Sequence, residues 1–419
     1  MSLLRHLGPG MLLAATSIGA SHILLSPEAG ARFEYQLVWL VILVHLLKYP
    51  AFEFAPRYVA AKGESLLEAY LRAPGPKRWA IWLGLVDMTI QAVGLIAALV
   101  GLTASFVVEA TGAGRVELWS PVLLAALLAL LGLGHYRALR IVNIALLALV
   151  AGGTLMAFAA APPPASALPS MVVPTFPEGS ILLVAAILGF MPTSVAVSIW
   201  QSLWALEQGR FRDAPKDAGE RRRLLRGGLL DLRLGYGLSA GLAVLFICLG
   251  ATLLHPRGLV PQGTEVALQL SRLYTLVLGD WMRPVVLAMA FAALFTTCYT
   301  MMDGFPRSFV AARRVLRDLP AFGGETGRVY WTFLLAVTLG GLAILSQLPD
   351  PAMLVKAVGA FGLVLSPIYY TLNLWAVTRL VDDPALRPGK PTVVLAILGI
   401  VSMILTAGLL LWTTFGGVP

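Results

Sequence analysis

The chain is poor in charge. Asp, Glu, Lys and Arg make up 13% of its 419 residues, while 58% are hydrophobic; a soluble domain carries roughly twice that share of charge. A water-soluble globular protein is thereby excluded. Cysteine is nearly absent. Cys248 and Cys298 both fall in apolar stretches, so they read as small buried residues and offer neither a disulfide framework nor a thiolate cluster. The histidines, at 6, 22, 45, 135 and 255, are scattered. HExxH, Gly-x-Ser-x-Gly and P-loop patterns are missing, which leaves no footing for a hydrolase or nucleotidase. The expectation is a non-enzyme with no cofactor and no metal-ligand cluster.

What the chain has is apolar runs of membrane-spanning length, about 20 residues each. Eleven are legible, near 8–31, 36–61, 79–108, 117–135, 139–161, 178–205, 227–254, 281–305, 328–347, 352–379 and 391–415. The first is short and Gly-rich and lacks a cleavage pattern, so it reads as a retained span rather than a signal peptide. Residues 264–279 suit an amphipathic helix in a loop. Ala161-Pro162-Pro163-Pro164 through Pro177 reads as a linker outside the membrane. These features divide the chain into a first repeat (1–161), a linker (162–177), a second repeat (178–380) and an appended last span (381–419).

The formal net charge of +9 does not point to nucleic acid. Most Lys and Arg lie at the N-terminus and in the loops after even-numbered spans; residues 209–226 alone read GRFRDAPKDAGERRRLLR. By the positive-inside rule those segments are cytoplasmic and the C-terminus lies outside. Spans one and six then begin the two halves and run in opposite directions, an inverted repeat. Both are interrupted at mid-length, the first at Gly19-Ala20-Ser21-His22 and the sixth at Gly189-Phe190-Met191-Pro192-Thr193-Ser194. Non-helical backbone at bilayer depth survives only where protein or a cavity satisfies it. A matched pair of such breaks is the best sequence pointer to a transporter's substrate site.

Gly8-Pro9-Gly10 opens the first span, Ala29-Gly30-Ala31-x-Phe33-x-Tyr35-x-Leu37-x-Trp39 leads into the second, Ala61-Lys62-Gly63-Glu64-Ser65-Leu66 ends it, and the sixth carries Met191-Pro192. In these residues the chain resembles the Nramp (natural resistance-associated macrophage protein, solute carrier 11) family. The resemblance implies an all-α polytopic membrane protein of leucine-transporter-type fold, with spans 1–5 and 6–10 as inverted repeats and an eleventh appended. Family members that carry Mn²⁺ or Fe²⁺ have Asp-Pro-Gly-Asn at the first break, where this chain has Gly19-Ala20-Ser21-His22. The family's Met-Pro-His-Asn becomes Met191-Pro192-Thr193-Ser194. Asp87 and Gln91 lie near the family's acidic pair in the third span.

Without that Asp, the expected substrate-binding set is Gly19, Ala20, Ser21, His22, Gly189, Met191, Pro192, Thr193 and Ser194. It has no fixed negative charge, and hard divalent cations want carboxylates. A broken helix exposes free N–H groups, and helix N-termini attract anions. The expected cargo is therefore a small inorganic anion such as bicarbonate; the alternatives are a divalent metal ion (Mn²⁺ or Mg²⁺) or a neutral or organic solute. His22 is read as a substrate donor or proton carrier. In sodium-coupled carriers of this fold, a carbonyl followed three and four residues later by hydroxyls on the eighth span holds Na⁺; Ala293, Thr296 and Thr297 match, so Na⁺ is the expected coupling ion. Asp87, Gln91 and Asn373 are pathway candidates, and Tyr369 and Tyr370 read as packing.

Glu28/Arg32 and Glu53/Arg57 are spaced for i, i+4 pairs. His45, Lys48, Asp231 and Arg233 read as near enough to helix ends to snorkel or pair, and Pro50 and Pro367 as kinks. The expectation is a monomeric secondary transporter of the cytoplasmic membrane, working by alternating access, with lipid and a small ion as partners. A channel or a non-transporting receptor is the rival.

Overall fold

The computed structural model of the chain describes residues 18–133, 136–207, 217–323, 327–348 and 350–416, and of 136–147, 218 and 264 the backbone alone. The first half of the first span lies outside the described residues. Among them, eight helices are long and apolar enough to cross a membrane, or nine if Ala148–Ala160 and Ala165–Val172 form one bent span. The sixth expected span does not count among the eight, because it is split in two.

The helices fall into two groups. One holds α1 (Ser26–Phe33), α2 (Val38–Lys62), the two halves of the broken span, α7 (Ile181–Phe190) and α8 (Val197–Glu207), and α9 (Ala218–Leu249). Here α9 packs on α1 and α2, and α8 on α2. The other is built around α4 (Trp79–Thr111), which packs on α11 (Arg283–Val315), α12 (Gly327–Gln347), α13 (Pro351–Trp375) and α5 (Val116–Leu133). The groups meet where α7 packs on α13. Outside these groups lie the short α3 (Leu66–Leu71), α6 (Tyr136–Ala160), α10 (Val266–Leu278) and α14 (Lys390–Phe415), besides one-turn segments such as Leu168–Val172. The expected amphipathic helix is α10, which buries Val266, Leu270, Leu273 and Tyr274 at helical spacing.

Local chemistry explains the family-like motifs. In Ala61-Lys62-Gly63-Glu64-Ser65-Leu66, Gly63 takes φ 66° and its N–H closes the last turn of α2 on the Val59 carbonyl at 2.8 Å, a left-handed stop that a Cβ would strain. Ser65 then starts α3 in a capping box with Glu68, satisfying two N–H groups that a helix start leaves open. Burial pushes the Glu64 carboxyl up, but its bonds from Arg72 and Tyr58 outweigh that and hold it below its ordinary value. In Ala29-Gly30-Ala31, Gly30 sits against α9: a Cβ there would lie 2.1 Å from the Ile247 carbonyl oxygen. Small residues let membrane helices touch backbone to backbone, where packing rather than water expulsion drives association.

Pro50 and Pro367 lie inside the continuous helices α2 and α13. The Glu28/Arg32 and Glu53/Arg57 pairs form, at 2.8 and 2.5 Å. Glu28 also accepts from Lys356 of α13 at 2.8 Å, tying the two helix groups together at one end.

Replacing Gly30 with Ala is expected to lower the thermal midpoint of detergent-solubilised protein, because neither helix backbone can yield; overpacking of this kind costs about 1–3 kcal/mol. The same change at Gly152, where a Cβ meets nothing within 4 Å, is expected to leave the midpoint unchanged or raise it.

Candidate functional site

The sixth span breaks because its sequence cannot continue a helix. Gly189 brings α7 against α13 so closely that a Cβ would sit 1.9 Å from the Gly359 carbonyl oxygen. Met191 then leaves the helix for extended backbone, at φ −91° and ψ 131°. Pro192 has no N–H to give, and α8 resumes only at Val197. This strands the last carbonyls of α7, an end that carries about half a negative charge.

Those carbonyls have a partner that sequence reasoning misplaced. Lys48, near the middle of α2, is fully buried. Its Nζ donates to the carbonyls of Leu188 (3.0 Å), Gly189 (3.1 Å) and Thr193 (2.7 Å). It does not snorkel to a helix end. The signal was present: a lysine inside a 25-residue apolar helix costs several kcal/mol unless a specific partner awaits it. The break is thus a cluster of oxygens gathered on a cation, the opposite of the N–H-lined anion seat expected from the sequence.

The first break is also different in kind. Ser21–Leu25 is a π-helical turn that runs straight into α1. The N–H groups of His22 and Ile23 both donate to the Gly19 carbonyl, at 3.1 and 2.9 Å. They are therefore not left open for an anion. Ala20 and Ser21 are buried beside them.

His22 is held by α9. Its Nε2 lies 3.0 Å from the Ser239 carbonyl and 2.9 Å from the Ser239 hydroxyl, and its Nδ1 lies 2.9 Å from the Ser21 hydroxyl. A carbonyl only accepts, so Nε2 carries a hydrogen, and in the neutral ring Nδ1 accepts from Ser21. By the same logic His45 donates from Nδ1 to the Val41 carbonyl at 2.8 Å and accepts from Ser239 at 3.1 Å. Both nitrogens of each ring have partners within the protein, so neither ring is left open to an anion. His45, like Lys48, is buried rather than near a helix end.

On the other side of the second break lies a small cavity of about 30 Å³, room for one water or bare ion. It is lined by Thr193, Ser194, Asp87, Gln91 and Tyr369, with Phe190, Trp200 and Phe305 as apolar walls. The Asp87 carboxylate is buried, accepting from Gln91 Nε2 and from the Tyr369 hydroxyl at 2.7 Å each. The sequence-based pocket had no carboxylate of its own, with Asp87 of the third span as the acid that could enter it; Asp87 does line this cavity. Thr193 joins the two features, its carbonyl accepting from Lys48 and the residue itself lining the cavity.

Other expected residues lie elsewhere. Met191 is buried outside the cavity lining. Asn373 sits in a separate buried network, accepting from Tyr70 at 2.6 Å and donating to Ser198 at 2.8 Å. Thr296 and Thr297 both donate to the Ala293 carbonyl, at 3.1 and 2.8 Å; the proposed Na⁺ ligands bond to one another, as hydroxyls in membrane helices commonly do. Among the described residues no group of three or more His, Cys, Asp or Glu could hold a metal ion.

A family profile described as natural resistance-associated macrophage protein-like (Nramp) matches residues 10–413. An uncharacterized protein of Pasteurella multocida (strain Pm70) is 30% identical over 387 residues, 89% of this chain and 85% of that one. The divalent metal cation transporter MntH of Chromohalobacter salexigens is 28% identical over 258 residues, 60% of this chain and 57% of that one. Among solved structures, the Eremococcus coleocola manganese transporter matches at TM-score 0.72 and 15% identity, over 100% of this chain and 89% of that chain. That likeness is one of fold, and the expected leucine-transporter-type architecture holds.

These findings overturn two expectations. The relative named by its cargo carries a divalent metal cation, so bicarbonate is withdrawn, and with it sodium coupling. The physical reason against the anion is that the N–H groups of His22 and Ile23 it would have needed are taken up by the Gly19 carbonyl.

Replacing His22 with Phe is expected to destabilise the protein by about 1–3 kcal/mol, the usual cost of stranding buried hydrogen-bond partners. Thermal unfolding in detergent measures it, and an unchanged midpoint would show that the Ser21 and Ser239 bonds carry no weight.

Proposed function

The chain belongs to the Nramp family, and on that premise we propose that it is a secondary transporter carrying a divalent metal cation through the cavity beside the sixth-span break. Membership of this family, together with the similarity to a divalent metal cation transporter, supports a transporter reading. Its similarity to a divalent metal cation transporter supports the cargo class. The observation that carries the reading is Asp87 in the cavity wall, in a lining that also includes Gln91, Thr193 and Ser194.

These residues offer oxygen donors, the set that hard ions such as Mn²⁺ and Mg²⁺ prefer, and among the described residues no cysteine lines the cavity. One carboxylate leaves a divalent ion only partly neutralised. A weaker site suits a carrier, which must release what it binds. Asp87 accepts one hydrogen bond on each oxygen, which holds the carboxyl in place and leaves lone pairs for a metal ion. A cavity of about 30 Å³ does not admit a hydrated ion. Loading and release therefore require the α1, α2, α7–α9 group to move against the α4, α11–α13 group, the rocking by which carriers of inverted-repeat build alternate access. Glu28 and Lys356, which join α1 to α13, are placed to open and close with that motion.

The reading includes the division into repeats at 1–161 and 178–380, an N-terminus on the cytoplasmic side set by the basic loops, a cytoplasmic-membrane location and a single chain as the working unit.

Purified protein in liposomes is expected to take up Mn²⁺ saturably, and Asp87→Asn to cut uptake about tenfold or more at subsaturating ion, since each 1.4 kcal/mol of lost binding is a factor of ten. Failure of every divalent cation tried (Mn²⁺, Fe²⁺, Mg²⁺) to exceed protein-free liposomes would end this reading.

A further inference from the structure

Lys48 is used by nothing in the proposed transport step, yet its surroundings are built for a cation. Its ammonium is fully buried and, among the described residues, no carboxylate lies within ion-pair distance of it. Three carbonyl oxygens take its three N–H groups, two from the end of α7 and one from within the break. An ammonium has three donors in a cone and no acceptor, so the match leaves none of its donors over. The carbonyls of Leu188 and Gly189 belong to a helix C-terminus, whose dipole favours positive charge. Remove the lysine stem, and what remains is an oxygen-lined seat of the kind that holds a bare monovalent cation.

We propose that the sixth-span break is a cation site whose occupant is tethered: the Lys48 ammonium fills it permanently and fixes the shape of the break. Two consequences follow. The carbonyls of Leu188, Gly189 and Thr193 are closed to a free ion, because a fixed positive charge already sits on them. Any transported cation is confined to the Asp87 side of Thr193; this second consequence rests on the divalent-cation reading, whereas the tethered site itself does not. Lys48 is thus a positioning residue, acting on the cavity through the Thr193 backbone.

The test is chemical replacement of the tethered group. Lys48→Ala leaves the seat and removes its occupant. Its thermal midpoint in detergent, measured without divalent ions, is expected to fall, and to recover most of the loss when methylammonium, ethylammonium or propylammonium chloride is added. Tetramethylammonium has no N–H and is expected to have no effect, which separates occupancy of the seat from ionic strength. Lys48→Met, which fills the space with a neutral stem, is expected to be destabilised and not to respond to any amine. Lys48→Arg, with a planar fork in place of a cone, is expected to fall between.

A wild-type midpoint in Lys48→Met overturns the proposal even if Lys48→Ala does not fold. So does a destabilised Lys48→Ala that no primary amine restores. Recovery by amines in a protein that moves no divalent ion would keep the tethered cation and discard the cargo. Mn²⁺ uptake that persists in an amine-insensitive Lys48→Ala would do the reverse.

Discussion

A backbone carbonyl inside a bilayer must find a partner, and most of this structure can be understood from how that one requirement is met at a single place. Within the helices the chain meets it locally. At Leu188, Gly189 and Thr193 it does not, because Pro192 gives no N–H and the extended backbone at Met191 ends α7. Three stranded oxygens are then satisfied from another helix, by a charged group that would itself be untenable without them. Neither half of this arrangement is stable alone in a low-dielectric interior; together they satisfy each other.

The arrangement also sorts charge across the break. On one side is a fixed ammonium, and on the other the Asp87 carboxylate in its small cavity. Thr193 stands between them. A site with positive charge on one wall and a single acid on the other differs from an open N–H-lined pocket, and it differs from a symmetric ring of carboxylates. Close helix contacts make this possible: Gly189 on Gly359, and Gly30 on the backbone of α9, leave no room for slack around the two non-α segments.

The polar groups near the first break serve a different end. Ser21, His22, Ser239 and His45 form a chain in which each hydrogen has an acceptor. It pins the π turn of the first span to α2 and α9, and so joins the helices of one group. This explains why residues that look like a ligand set in the sequence behave as a hinge fastening in the fold. It also shows why the first-break motif and the sixth-break motif, though matched in position, do not contribute equally to the cavity.

Much of the architecture was legible in one dimension. Low charge and long apolar runs dictate membrane helices, since every backbone group must be satisfied within its own segment. The Pro192 interruption marks the break in the sixth span, and Gly63 with Ser65 marks a stop and a start. Glu28/Arg32 and Glu53/Arg57 were readable because i, i+4 geometry is local. The site's electrostatics were not readable, because they depend on residues far apart in the chain: Lys48 and Thr193, Asp87 and Tyr369, His22 and Ser239. Spacing along a helix tells which residues share a face. Which helix lies opposite that face decides whether a lysine snorkels or plugs a break, and whether a pocket that has lost one carboxylate gains another. Pairings of that kind exist only once the chain has packed.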